Sequence, residues 1–328
     1  MPSLYPPIEP FRTHHLAVGG GHLLYVEECG RPDGRPLVFL HGGPGSGCSP
    51  EHRRLFDPEH YRIVLIDQRG CGRSVPLGGL VANRTSDLIA DLELVRRALG
   101  IDRWVLFGGS WGATLAVVYA QTHPERLSAL VLRGVFLARR RDLAWFFGES
   151  GAARFFPDDW QSLCDCVGET DWERLIERYQ GRVNGEDPRM AAAAARAWTV
   201  WGERLLSAIP SWLSDRDVPA TGEPATGEPD TAALAKARIE IHYAFHRYFL
   251  AEDEILMRAR QLPDCPLVMV QGQRDLVCPP EGAWSLHRAV PGSRLRLLAD
   301  AGHLAWDAAI LDALIEETDR LRGLPDGC

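Results

Sequence analysis

Gly108-Gly109-Ser110-Trp111-Gly112 fits G-x-S-x-G, a pattern in which a serine rides a sharp turn between a strand and a helix. The turn strains the serine backbone, and glycines flank it because side chains there would clash. In a chain with 32 glycines the pattern alone is weak. Its neighbours strengthen it, since residues 104–107 form a strand candidate just before and residues 113–120 a helix candidate just after. Such a turn lifts the hydroxyl clear of a sheet and aims a helix N-terminus at a developing oxyanion.

A serine hydroxyl is a poor nucleophile until a base takes its proton. Where the turn sits on a sheet, the partners follow in the order Ser, acid, His, on loops after late strands. Asp275 ends Gln271-Gly272-Gln273-Arg274-Asp275, directly after the apolar run 267–270. His303 ends Asp300-Ala301-Gly302-His303, directly after the run 295–298. His303 is the expected general base and then acid. Asp275 is expected to hold its tautomer. Asp300 reads more simply as a turn residue, and His287 as a surface or packing residue of a helix over 282–289.

His41-Gly42-Gly43-Pro44-Gly45 follows another apolar run, 37–40. A glycine-rich loop there supplies a second oxyanion donor, so the backbone amides of Gly43 and Trp111 are the expected hole. No Lys-Ser/Thr follows, which argues against a phosphate loop. The charged, glycine-rich stretch 67–74 reads mainly as a structural turn, with Cys71 near enough to the site for thiol reagents to act.

These residues need a scaffold. Runs 37–40, 63–66, 104–107 and 130–132 are short and continuously apolar, as strands buried on both faces are. Residues 22–28 follow three glycines and read as part of a hairpin. Helical stretches at 86–99 and 113–122 alternate with the runs, which predicts a mostly parallel sheet with helices on both faces. Residues 138–259 are helical and aromatic, with Trp145, Trp160, Trp172, Trp198, Trp201 and Trp212 among them. They read as an inserted helical cap, leaving 1–137 and 260–328 as the core. Within the cap, Ala-Thr-Gly-Glu-Pro occurs twice in tandem at 220–229, a composition suited to a mobile surface loop. A closing helix is expected over 304–321.

Composition excludes several classes. The net charge of -8 is unfavourable for nucleic acid or an anionic membrane. Arg139-Arg140-Arg141 is the densest basic run and reads as a solvated helix start. No apolar run approaches the roughly 18 residues of a membrane span, and the N-terminus lacks the pattern of a secretory signal, so a cytoplasmic protein is expected. The eight scattered cysteines are expected as free thiols, and Cys164-Asp165-Cys166 lacks the second half of a zinc site. No metal or cofactor is called for.

Together, HGGPGSG at 41–47, DQRGCGRS at 67–74, GGSWGATLA at 108–116 and the Asp275 and His303 loops resemble the prolyl iminopeptidases, serine aminopeptidases of the α/β-hydrolase fold. Similarity continues through Leu132-Arg133-Gly134-Val135-Phe136 and Phe156-Pro157-Asp158-Asp159-Trp160. The resemblance implies removal of N-terminal proline from a small peptide or amide with a free N-terminus, the charged amine being held by acidic cap residues. It implies substrate contacts at Glu240, Glu203, Arg133, Phe136, Phe146 and Phe147. Three features depart from the family. Its cap typically reads Trp-Glu where this chain has Trp201-Gly202, with Glu203 one residue on, a shift of about 100° around a helix. It often has Tyr within the 145–147 segment, and it lacks the tandem repeat. Two other readings stay open: a related hydrolase acting on a different amide or ester, and a ligand-binding hydrolase scaffold without catalysis.

Overall fold

The apolar runs become strands because both sheet faces are covered. In the computed structural model, which describes residues 4–207 and 231–323, eight strands form one sheet. They are β1 (Arg12–Val18), β2 (His22–Gly30), β3 (Arg35–Leu40), β4 (Tyr61–Asp67), β5 (Trp104–Gly109), β6 (Leu127–Arg133), β7 (Leu267–Gly272) and β8 (Arg294–Leu298). Their order across the sheet is β1-β2-β4-β3-β5-β6-β7-β8. The β1–β2 hairpin is antiparallel and so is the β2–β4 pair, while β4, β3, β5, β6, β7 and β8 run parallel. Trp212, Cys328 and the 220–229 repeat lie outside the described residues.

Helices α1 (Pro50–Arg53), α2 (Thr85–Ala98) and α3 (Trp111–Thr122) follow β3, β4 and β5. Between β6 and β7 lie α4 (Arg140–Phe147), α5 (Pro157–Val167), α6 (Trp172–Val183), α7 (Pro188–Leu206), α8 (Thr231–Phe245) and α9 (Glu254–Met257). Helix α10 (Pro280–Ala289) connects β7 to β8, and α11 (Ala308–Leu321) follows β8. The closing helix therefore begins later than its apolar pattern suggests. Residues 301–307 stay in the loop that carries His303, where Asp307 Oδ2 accepts the Gly302 N–H at 2.9 Å.

Strand geometry sends successive side chains to opposite faces. Val38 and Leu40 of β3 join one core with α2 and α3, and Leu37 and Phe39 join the other with α11. Each fully buried Val, Leu or Ile stabilises by roughly 1.5–3 kcal/mol, which is why these strands read as unbroken apolar runs. The first core continues through Trp198, Trp201 and Tyr243 of the inserted helices, so the insertion and the sheet share one packed interior. Asp171 and Asp187 start α6 and α7 by accepting first-turn N–H groups at 3.1 Å and 2.9 Å.

Arg140 and Arg141 are exposed at the start of α4, as expected, but Arg139 is not solvated. Arg139 is 1% exposed and pairs with Asp142 and with Glu281 of α10, each at 2.7 Å. It ties the beginning of the insertion to the sheet layer, while Arg140 and Arg141 pair with Glu173 and Glu281. No helix among the described residues is long and apolar enough to cross a membrane.

Candidate active site

All the loops that carry candidate chemistry leave the carboxyl ends of parallel strands, where open α/β sheets form their crevices. Ser110 follows β5 with φ 57° and ψ -124°, a conformation that costs a residue with a Cβ. Side chains at either flank would collide with backbone: a Cβ on Gly108 would meet the Gly112 carbonyl, and one on Gly112 the Leu40 carbonyl. Glycine at both places is what lets β5, β3 and α3 approach closely enough to form the turn.

His303 and Asp275 form the second part. His303 Nδ1 lies 2.8 Å from Asp275 Oδ2, and both side chains are buried. The Asp275 carboxylate is held by three further donors: Val277 N–H at 2.9 Å, Cys278 N–H at 2.7 Å and the Gln271 amide at 3.1 Å. Gly134 packs directly against the imidazole, where an added Cβ would come within 2.9 Å of Cε1. Arg133 donates to the His303 carbonyl at 2.8 Å, and burial lowers its pKa.

Ser110 and His303 face one cavity of about 290 Å³. Among the described residues Ser110 Oγ makes no hydrogen bond to His303, and its neighbour is Cys278 Sγ at 4.0 Å. Catalytic hydrogen bonds commonly tighten only once substrate is in place. Gly43 lines the same cavity. Trp111 opens α3, so its N–H is one of the orphan donors of a helix N-terminus. Neither the Gly43 nor the Trp111 backbone N–H donates to another group among the described residues. The indole of Trp111 points into the core and donates to Gln68 Oε1 at 2.9 Å.

Gln68 was not singled out in the sequence, yet it joins both sides of this region. Its amide also donates to the His41 carbonyl at 2.9 Å, and its backbone N–H to His41 Nε2 at 3.1 Å. The loop before Gly43 and the turn before Trp111 are thereby fixed relative to one another. The 67–74 stretch is structural, as expected: Asp67 is fully buried, accepts from Cys48 N–H at 2.6 Å and pairs with Arg73 at 2.7 Å. Cys71 is not the thiol at the site. Its Sγ lies 3.2 Å from the Arg69 carbonyl in the core, burial raises its pKa, and Cys278 is the cysteine on the cavity wall.

The inserted helices supply part of the cavity lining. Phe146 and Phe147 of α4, Glu203 of α7 and Glu240 of α8 line the cavity from these helices, while Arg133 at the end of β6 and Phe136 just after it line the cavity from the sheet side. Glu240 Oε2 accepts the Trp198 indole N–H at 3.1 Å, and burial raises the carboxyl pKa while Lys236 and the indole pull it back. Glu203 is close enough to raise it further. Gly202 also lines the cavity, and a Cβ there would meet nothing within 4 Å. His52, also on the cavity lining, is stacked 4.4 Å from Phe39 and 5.7 Å from Trp306.

Burial holds the His52 pKa down at about 4, below the ordinary value of about 6.5. The unfolded chain takes up this proton first, so the associated stability is present above about pH 6.5 and is lost as pH falls through about 4. It is on the order of 3 kcal/mol. Urea unfolding at about pH 7.5 and about pH 4.5 should therefore show a smaller acid loss for His52→Phe than for the wild type. Equal losses would show that His52 does not titrate in this way.

Sheet order, turn and loop placement together define an α/β hydrolase, and residues 35–307 match the α/β hydrolase fold family. A solved structure of proline iminopeptidase from Mycobacterium smegmatis superposes with a TM-score of 0.57 at 17% identity, covering 94% of this chain and 99% of that one, a likeness of fold. Curated relatives are much nearer in sequence. A proline iminopeptidase from Xylella fastidiosa is 46% identical over 97% of this chain and 99% of its own length. One from Xanthomonas citri is 45% identical over the same shares. The chain belongs to the proline iminopeptidase family.

Proposed function

We propose that this chain is a serine aminopeptidase that releases N-terminal proline from small peptides or prolyl amides through an acyl-enzyme. One observation carries the reading: a single cavity is lined both by Ser110 and His303 from the sheet loops and by Glu240 and Glu203 from the inserted helices. An exopeptidase must hold a cationic amine at a fixed distance from the scissile carbonyl, and a buried carboxylate does so.

Ser110 Oγ attacks the proline carbonyl while His303 Nε2 takes its proton. Asp275 keeps the His303 Nδ1–H in place and stabilises the imidazolium. The Gly43 and Trp111 N–H groups receive the oxyanion. As the C–N bond breaks, His303 gives its proton to the leaving amine. A water then attacks the ester, losing a proton to His303, and Ser110 Oγ regains one as proline departs. Phe136, Phe146 and Phe147 supply apolar surface for the pyrrolidine ring, and Arg133 steadies the His303 loop.

The test is a comparison of the anilides of proline, alanine and N-acylated proline. Free-amine proline is expected to be cleaved fastest, and equal cleavage of the blocked compound would end the aminopeptidase reading. Glu240→Gln is expected to raise KM for the free-amine substrate by about ten- to a hundredfold with a smaller change in kcat, since a charge-assisted hydrogen bond is lost from ground and transition states alike. Unchanged constants would remove Glu240 from the site. The open space beside Gly202 favours a second reading, an α/β hydrolase acting on a different amide or an ester, and the same panel separates the two.

A further inference from the structure

Glu240 is not a lone anion awaiting a ligand. One turn before it on α8, Lys236 places Nζ 3.7 Å from Glu240 Oε1, and both residues line the cavity that holds Ser110. The other carboxylate oxygen is occupied by the Trp198 indole. The lysine stem is braced as well, because a Cβ on Gly45 of the HGGPG loop would meet the Lys236 backbone oxygen at 3.1 Å and its Cγ at 3.3 Å. Lys236 therefore sits at the seam between the inserted helices and the proposed oxyanion loop, with its ammonium directed at the carboxylate proposed to bind the substrate amine.

An entering ammonium meets a like charge beside the carboxylate it seeks, and has to displace or share that partner. Resting on the aminopeptidase reading, we propose that Lys236 is a specificity-determining residue that competes with the substrate ammonium for Glu240. It weakens binding of free-amine ligands and leaves uncharged ring analogues unaffected. Gly202 and Glu203 belong to the same account. Gly202 contributes no side chain and Glu203 is exposed, so Glu240 is the more buried carboxylate facing this cation.

Removing the lysine has an opposing consequence. Lys236 is the largest influence lowering the Glu240 pKa, so its loss favours a neutral carboxyl. Glu240 also faces Trp198 and Glu203 from α7, and the Cys71 thiol and Tyr248 phenol on the core side. That opposing effect shrinks as pH rises, so prolinol Ki measured at several pH values separates it from the competition.

The experiment measures competitive inhibition of proline anilide turnover by prolinol, a cation, and by tetrahydrofurfuryl alcohol, its uncharged ring analogue. Lys236→Met keeps the apolar stem against Gly45 and removes the charge. It is expected to lower Ki for prolinol by about fivefold, the upper range for a partly exposed ion pair, and to leave Ki for the ether within about twofold. Lys236→Arg is expected to return the prolinol Ki to near the wild-type value. An unchanged or weaker prolinol Ki in Lys236→Met, or an equal gain for the ether, overturns the role of Lys236 while leaving the aminopeptidase reading in place. A wild-type protein that does not turn over proline anilide overturns both.

Discussion

Ser110→Ala is expected to reduce kcat on proline anilide by on the order of 10⁴- to 10⁶-fold while leaving the folded protein intact. The reasoning is local. Ser110 already carries a Cβ at φ 57°, so alanine inherits the same backbone strain and adds none. Its Oγ makes one weak contact, to Cys278 Sγ at 4.0 Å, so little hydrogen bonding is lost. Melting temperature and circular dichroism should match the wild type as turnover disappears. More than about one per cent residual activity would mean that another group attacks the carbonyl.

Asp275→Asn carries the second largest expected effect, a loss of about 10³- to 10⁴-fold in kcat/KM. Asp275 accepts from Val277 N–H, Cys278 N–H and the Gln271 amide while facing His303 Nδ1. A carboxylate can accept all of these, whereas an asparagine amide has only one accepting atom. Whichever way it turns, its NH₂ faces either a backbone donor or the imidazole. If it faces the imidazole, Nδ1 becomes the acceptor and the proton moves to Nε2, the atom that must receive the Ser110 proton. Stopped-time assays across the pH range measure this loss, and one smaller than about tenfold would show that Asp275 does not set the tautomer.

Much of this architecture could be read from sequence because its physical signals are local. A strand covered on both faces must be apolar at successive positions, so 37–40, 63–66 and 104–107 are visible as unbroken runs. The turn at Ser110 needs glycines at fixed offsets, and that need is also local. Asp275 and His303 were placed by following strand candidates to their carboxyl ends, and their 2.8 Å contact spans 28 residues of chain.

The parts that escaped depend on distant partners. Gln271 lies within a buried strand, and nothing nearby in sequence says that its amide reaches Asp275 and the Cys278 carbonyl. Gln68 was visible inside DQRG, but its link from the Trp111 indole to the His41 carbonyl exists only once three strands are side by side. Arg139 looked like surface charge because its acceptor, Glu281, lies 142 residues away. Lys236 and Glu240 have the four-residue spacing of a helical ion pair, a spacing that is usually solvated, and their place on the cavity wall follows from how α8 packs. Cys71 reads as a thiol near the site because it lies within a motif in sequence, whereas Cys278, which the sequence reading does not single out, is the cysteine beside Ser110 in space.

The most direct test of the central claim is covalent labelling with an active-site fluorophosphonate, read by mass spectrometry of the digested protein. The account predicts one adduct, on the peptide carrying Ser110, that forms in step with loss of proline anilide turnover, is slowed by prolinol and is absent from Ser110→Ala. Full inactivation with the label on another residue, or an active protein that takes up no label, would contradict it.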